Sequence, residues 1–171
     1  LGERGLRQSD AVFQHVRNLP PLLDALFASI DRAGVQAVGV SAKPTSAAES
    51  YMPVFLAGKL AANALANALC VPLIETTHQA GHVRAAMLGN EPELTNQTFL
   101  AMHLSGGTTD LLKVSLIGDL IDSIERIGGS EDLHAGQFVD RVGVRMGLSF
   151  PSGVELERLA RAAQDRSLRL P

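Results

Sequence analysis

The chain has one cysteine, no tryptophan, one tyrosine and six phenylalanines. A single thiol, Cys70, excludes a disulfide framework within the chain and suits a reducing compartment. No apolar run reaches the ~18 residues that a membrane-crossing helix needs. No charged segment followed by an apolar core opens the sequence, as a secretory signal would. The expected setting is therefore the cytoplasm, with no membrane partner. Charge of one sign is scarce too: 15 Lys+Arg against 18 Asp+Glu leave a formal net charge of −3. That excludes a dedicated electrostatic nucleic-acid binder and leaves room only for a local basic face.

What is present is apolar aliphatic residue. At 171 residues and 46% hydrophobic, the chain is not disordered. It is long enough to bury roughly 70% of its unfolded surface without a metal or disulfide staple. The sequence opens on Leu1 and closes on Pro171 soon after a helical stretch, which reads as part of a longer protein.

Ser9 is a candidate N-cap for a helix whose apolar stripe runs Val12, Phe13, Val16, Leu19. Pro20 and Pro21 kink that helix or start a second, Leu22 to Ile30 continue the stripe, and Gly34 reads as a C-terminal stop. A short buried strand is expected over Val35 to Ser41. An alanine-rich helix follows, PVFLAGKLAANALANAL from Pro53 to Leu69, suited to close packing on a sheet. A strand (Pro72 to Thr76), a helix (His78 to Leu88) and a polar loop (Asn90 to Gln97) come next. Three strands are then expected over Phe99–Leu104, Asp110–Leu116 and Leu120–Ile127, the last two joined at Gly118-Asp119. Helices close the order at Ala135–Met146 and Val154–Gln164. The pattern is α/β with a mixed sheet: parallel strands joined by helices, beside an antiparallel meander.

Three segments carry chemistry. His78-Gln79-Ala80-Gly81-His82 puts two imidazoles one helical turn apart on one face, half of a Zn or Fe site. The plain alternative is two polar residues on a solvated face. A zincin would place Glu after the first His as general base; Gln79 cannot serve. Ser105-Gly106-Gly107-Thr108-Thr109, between two strands, offers backbone N–H groups and hydroxyls to a phosphate, or is a plain hairpin loop. The third segment gathers Asp132, Asp140, Gly153 and Glu157 around Gly136 to Pro151; the Asp140 carboxylate could point at a sugar hydroxyl or a cation, and Pro151-Ser152-Gly153 gives a helix N-terminus that favours anions. The alternative for Asp140 is a solvated carboxylate paired with Arg141 or Arg145. His103 reads as a satisfied core histidine, and Cys70 as buried.

The order of these segments is distinctive. VPLIETTHQAGHVRAAM, FLAMHLSGGTTDLLKV and DLHAGQFVDRVGVRMGLSFPSGVELERLA together resemble the TsaD family, the tRNA threonylcarbamoyl transferases once labelled O-sialoglycoprotein endopeptidases or glycoproteases. The resemblance spans about Ser9 to Ala160. It implies the actin-like ATPase fold shared with sugar kinases, actin and heat-shock chaperones. It makes residues 1–171 one N-terminal lobe, lacking an N-terminal hairpin before Leu1 and a C-terminal lobe after Pro171. By position it makes His78 and His82 metal ligands. It assigns Leu104, Ser105, Gly106, Gly107 and Thr108 to the loop that contacts the phosphates and the threonylcarbamoyl group. Asp140 and Gly153 would hold the nucleotide's sugar, and Glu157 a further hydroxyl. The implied cofactors are a divalent metal, Fe or Zn, and ATP or threonylcarbamoyl-AMP. The implied reaction transfers threonylcarbamoyl to N6 of adenosine 37 of tRNA, with tRNA and family partner proteins as partners.

Several positions depart from the family pattern. Thr108 stands where the loop usually has His, Ala80 where the metal helix has an acid, Gln137 where Glu follows Gly136, and Lys43-Pro44-Thr45 where a Gly-Pro-Gly loop is usual. These departures set a non-catalytic binding or assembly paralogue beside the transferase, and a metallo-glycoprotease third. A single lobe holds half of a site, so this piece alone is expected to be inactive. Its exposed edges are expected to drive a homodimer or larger assembly.

Overall fold

The computed structural model describes residues 7–164. The sequence reading treats the chain as one lobe; backbone contacts group it into two compact units, one ending at Glu93 and one beginning at Leu94.

In the first unit, α1 runs Gln8–Ser29. It runs on through Pro20 and Pro21, which start no second helix. Arg7, not Ser9, occupies the N-cap, without a side-chain cap bond. The helix ends at Ile30 in extended conformation, and Gly34 closes a separate short 3-10 turn, Arg32–Gly34, whose first donor is capped by Asp31. Ala11 is buried, whereas Phe13, Val16 and Leu22 are more than half exposed, so the stripe is covered along one side only.

Strand β1 (Val38–Lys43), helix α2 (Val54–Leu69) and strand β2 (Leu73–Thr77) form a parallel β-α-β unit in register Val38↔Leu73 to Lys43↔Thr77. Parallel strands need such a crossover. Alanine suits α2, because Ala62 and Ala66 bury themselves and Gly58 faces the Val40 methyl on β1. Cys70 caps α2 in a left-handed conformation (φ 53°), with its N–H bonded to the carbonyls of Ala66 and Asn67. Its thiol is exposed, not buried as expected, because a residue that terminates a helix this way turns out of the core. Helix α3 (His78–Met87) leaves β2 without a loop, and Thr77 Oγ1 accepts the Ala80 N–H at 3.1 Å as its N-cap.

A four-residue helix α4 (Glu91–Leu94) stands within the segment expected as loop. The second unit is then an antiparallel meander of β3 (Thr98–Leu104), β4 (Thr109–Ile117) and β5 (Leu120–Gly129). Gly118, at φ 58°, makes the tight β4–β5 turn, and its N–H is held by Asn96 Oδ1 at 2.7 Å. Alternation splits the sheet: Leu112 and Val114 are fully buried, whereas Leu100 and Met102 stand 63% and 68% exposed on the other face. Helices α5 (Ala135–Arg145) and α6 (Gly153–Ala162) follow. Among the described residues no helix is long and apolar enough to cross a membrane.

The two faces give opposite expectations. Leu112→Ala should cost about 3 kcal/mol, and Leu100→Ala at most about 0.5 kcal/mol. Urea midpoints at constant m would check both.

Candidate functional site

The geometry of β2 and α3 sets the histidine pair. Because the strand runs directly into the helix, His78 is the first helical residue and His82 lies one turn on. Both side chains are exposed. Their Nε2 atoms face each other at 2.9 Å, with ring centroids 4.3 Å apart and nearly perpendicular planes. The 2.9 Å distance is a hydrogen bond between the two rings. Two imidazoles on one tetrahedral ion, bound at about 2.0–2.1 Å, would put their nitrogens about 3.3 Å apart, so the pair would open slightly to take two corners of one ion. Phe55 of α2 packs edge-on against His78, with centroids 6.1 Å apart, and helps fix the ring. Gln79, between the histidines, is buried, and its N–H bonds the Pro44 carbonyl at 3.0 Å. It ties the loop after β1 to the start of α3 and has no place as a base. Among the described residues no group of three or more His, Cys, Asp or Glu converges.

In the second unit, Ser105 to Thr108 link β3 to β4. The turn closes with Ser105 N–H on the Thr108 carbonyl at 2.8 Å, and Ser105 Oγ accepts the Gly107 N–H at 3.2 Å. The loop is clamped to the start of α5. Gly136 N–H donates to the Ser105 carbonyl at 3.0 Å, and Ala135 N–H to Thr109 Oγ1 at 2.8 Å. Ser130 N–H donates to the Thr109 carbonyl at 2.8 Å. A Cβ on Gly136 would stand 2.8 Å from both the Cα and the N of Gly106. The missing side chain at Gly136 thus lets the loop backbone close on the helix start, whose Ala135 and Gly136 N–H groups are taken by Thr109 and Ser105. Thr109 was expected to offer a hydroxyl donor to a ligand. Toward the helix it is an acceptor, replacing the side-chain cap that His134 does not supply.

Asp140 is paired neither with Arg141 nor with Arg145. Its Oδ1 accepts the Ser152 N–H at 2.8 Å, and Ser152 Oγ donates to the Asp140 carbonyl at 3.0 Å. Ser152 is fully buried, and a Cβ on Gly143 would overlap its Oγ. Asp140 therefore fixes where α6 begins, directly before Gly153, and this positioning role is added to the expected sugar contact. Glu157 is ion-paired with Arg161 on an exposed face. On the same helix, hydrogen bonds from Arg158 hold the Glu155 carboxyl below its ordinary range. Leu104 ends β3 with its side chain half exposed. Asp132 lies in the turn before α5.

The structure thus brings His78 and His82 together, and separately gathers the Ser105–Thr109 loop with Gly136. Reading the sequence for chemistry missed the close packing at Gly136 and Gly143, and placed Ser152 at a helix start without its bonds to Asp140. The glycines were visible as helix-interior breakers, a signal of close approach.

Residues 4–171 match the family described as tRNA N6-adenosine threonylcarbamoyltransferase. A tRNA N6-adenosine threonylcarbamoyltransferase of Syntrophobacter fumaroxidans is 34% identical over 158 residues, covering 92% of this chain and 44% of the relative. One of Prochlorococcus marinus (strain NATL1A) is 30% identical over 159 residues, covering 92% and 42%. The chain spans less than half the length of these relatives. Among solved structures, YeaZ from Pseudomonas aeruginosa overlays with a TM-score of 0.41 and 18% identity, over 66% of this chain and 53% of that one.

The packing of α6 on α5 carries its own expectation. Gly143→Ala should destabilise by about 1–3 kcal/mol through overpacking against Ser152. Gly147→Ala, at a φ of 87° in open space, should cost about 1 kcal/mol. Thermal melts of the two variants check the order.

Proposed function

The chain belongs to the tRNA N6-adenosine threonylcarbamoyltransferase family, and from that premise we propose that it contributes metal- and nucleotide-binding residues to a protein that transfers threonylcarbamoyl to N6 of a tRNA adenosine. The observation that carries the reading is the family match across residues 4–171. The family's actin-like fold and a cytoplasmic setting belong to the same proposal.

His78 and His82 would hold one divalent ion, Fe or Zn, through the Nε2 atoms that already face each other. When bound, the ion would supply a clamp and Lewis acid for the acyl adenylate. The chain's own part is positional. Thr77 caps the helix so that both rings project from one face, and Phe55 limits the rotation of His78.

The Ser105–Thr108 loop would take the phosphate of threonylcarbamoyl-AMP or ATP. The N–H groups of Ser105 and Gly107 are bonded within the loop, so those of Gly106 and Thr108 would donate to the anion, at positions that the clamped backbone fixes. Asp140 would have Oδ2 left for a ribose hydroxyl, since Oδ1 is engaged by Ser152. With a net charge of −3, contact with tRNA phosphates would rest on a local basic patch.

A second reading, a non-catalytic assembly paralogue, has its own support. Thr108, Ala80 and Gln137 replace titratable residues usual at those places in the family pattern. A thioether-free apolar surface on α1, with Phe13, Val16 and Leu22 exposed, offers helix-packing area to a partner or a second copy.

Two measurements test these readings. The full-length protein, expressed in cells depleted of the endogenous transferase, should restore threonylcarbamoyladenosine in digested tRNA; absence of the nucleoside in the presence of folded protein selects the paralogue. His78→Ala/His82→Ala should lower bound Fe or Zn at least about tenfold by elemental analysis. Unchanged metal content would remove the pair from the site.

A further inference from the structure

Gly129, the last residue of β5, has no room for a side chain. A Cβ there would stand 2.6 Å from the Thr109 carbonyl oxygen and 2.8 Å from Asp110 Oδ1, and would meet the Arg126 guanidinium. Gly129 pairs in register with Asp110. Arg126 lies three residues back on the same strand and reaches across the bare glycine to donate from Nε to Asp110 Oδ1 at 2.6 Å. The Asp110 side chain is 17% exposed and that of Arg126 56%. Breaking the pair would therefore leave a poorly solvated carboxylate next to Thr109.

Thr109 is the residue that joins the loop to the rest of its unit. It takes N–H groups from both Ser130 and Ala135. A shift of Asp110 moves Thr109, and with it the Ser105 carbonyl that Gly136 holds. We propose that the Asp110–Arg126 pair, admitted by the absence of a side chain at Gly129, is the positioning element of the Ser105–Thr108 loop, and so sets its affinity for the phosphate of a nucleotide. This rests on the reading of that loop as a phosphate site.

The proposal differs in sign from a direct charge effect. If Arg126 touched the phosphate itself, removing the neighbouring carboxylate would leave affinity unchanged or raise it. If the pair positions the loop, losing either partner lowers it. Calorimetric titration of the full-length protein with AMP and with adenosine separates the cases. Wild type should bind AMP more tightly than adenosine. Asp110→Asn and Arg126→Gln should each weaken AMP about five- to tenfold and leave adenosine unchanged. The double variant should be no worse than the poorer single one, as expected for groups that act as a unit. Gly129→Ala, which changes no charge, should weaken AMP in the same way. An Asp110→Asn protein that binds AMP as well as or better than wild type overturns the proposal, as does a parallel fall in adenosine affinity. A wild type that does not distinguish AMP from adenosine overturns the phosphate-loop reading, and this proposal with it.

Discussion

Thr109 is the point on which the second unit turns. It is where β4 begins, its carbonyl accepts the Ser130 N–H, and its hydroxyl accepts the Ala135 N–H. Those two bonds fix where the chain re-enters after β5 and where α5 starts. Without them the first N–H of α5 would lack its side-chain acceptor, since His134 makes no cap bond. The loop before Thr109 inherits this order. Ser105 and Gly106 lie against Gly136 at a distance that a side chain on Gly136 would forbid. A hairpin loop free at its tip would pay ordering entropy each time an anion bound. One clamped at its base has already paid.

The same device recurs in the unit. Gly143 lets buried Ser152 sit against α5, and Gly129 lets Arg126 reach Asp110. In each case a missing Cβ is occupied by a polar side chain whose partner then fixes the next element. The arrangement is costly to perturb at Ser152, which is fully buried, and at Asp110, whose carboxylate is 17% exposed, because little water reaches either to replace a lost partner. In the first unit the equivalent constraint is different. There a strand passes straight into a capped helix, and β2, Thr77 and α3 leave the histidines no freedom of approach except rotation about their own side-chain bonds.

Much of the fold was legible in the sequence because hydrophobic period is a local signal. The strands at Val38, Leu73, Thr98, Thr109 and Leu120 and the helices at Val54, His78, Ala135 and Gly153 all lie within a few residues of expectation. The misplacements have physical causes. Pro20 and Pro21 read as a kink or the start of a second helix, and a single helix runs on through them. Ser9 read as a cap, but Arg7 holds that position and the first turn has no side-chain cap. Cys70 read as buried because it lies between two apolar runs, while its left-handed backbone points it outward.

The site divides in the same way. His78 and His82 could be paired from spacing alone, since a helix converts a separation of four residues into adjacency. The Ser-Gly-Gly-Thr-Thr segment could be placed as a loop between strands, because Gly-Gly marks a turn, but composition alone left a phosphate loop and a plain hairpin loop both open. What spacing cannot encode is which backbone the loop meets. Ser105 and Gly136 are held together by a bond between backbone atoms of distant segments, and a backbone N–H or carbonyl has no letter in the sequence. Asp140 shows the converse. Its letter invited a charge partner nearby on its own helix, Arg141 or Arg145, but the carboxylate found the Ser152 amide instead. A buried amide at the start of a helix, with no intrahelical acceptor, is a more demanding partner than a solvated guanidinium that water already satisfies. A carboxylate placed between the two is drawn to the group that would lose more by going without it.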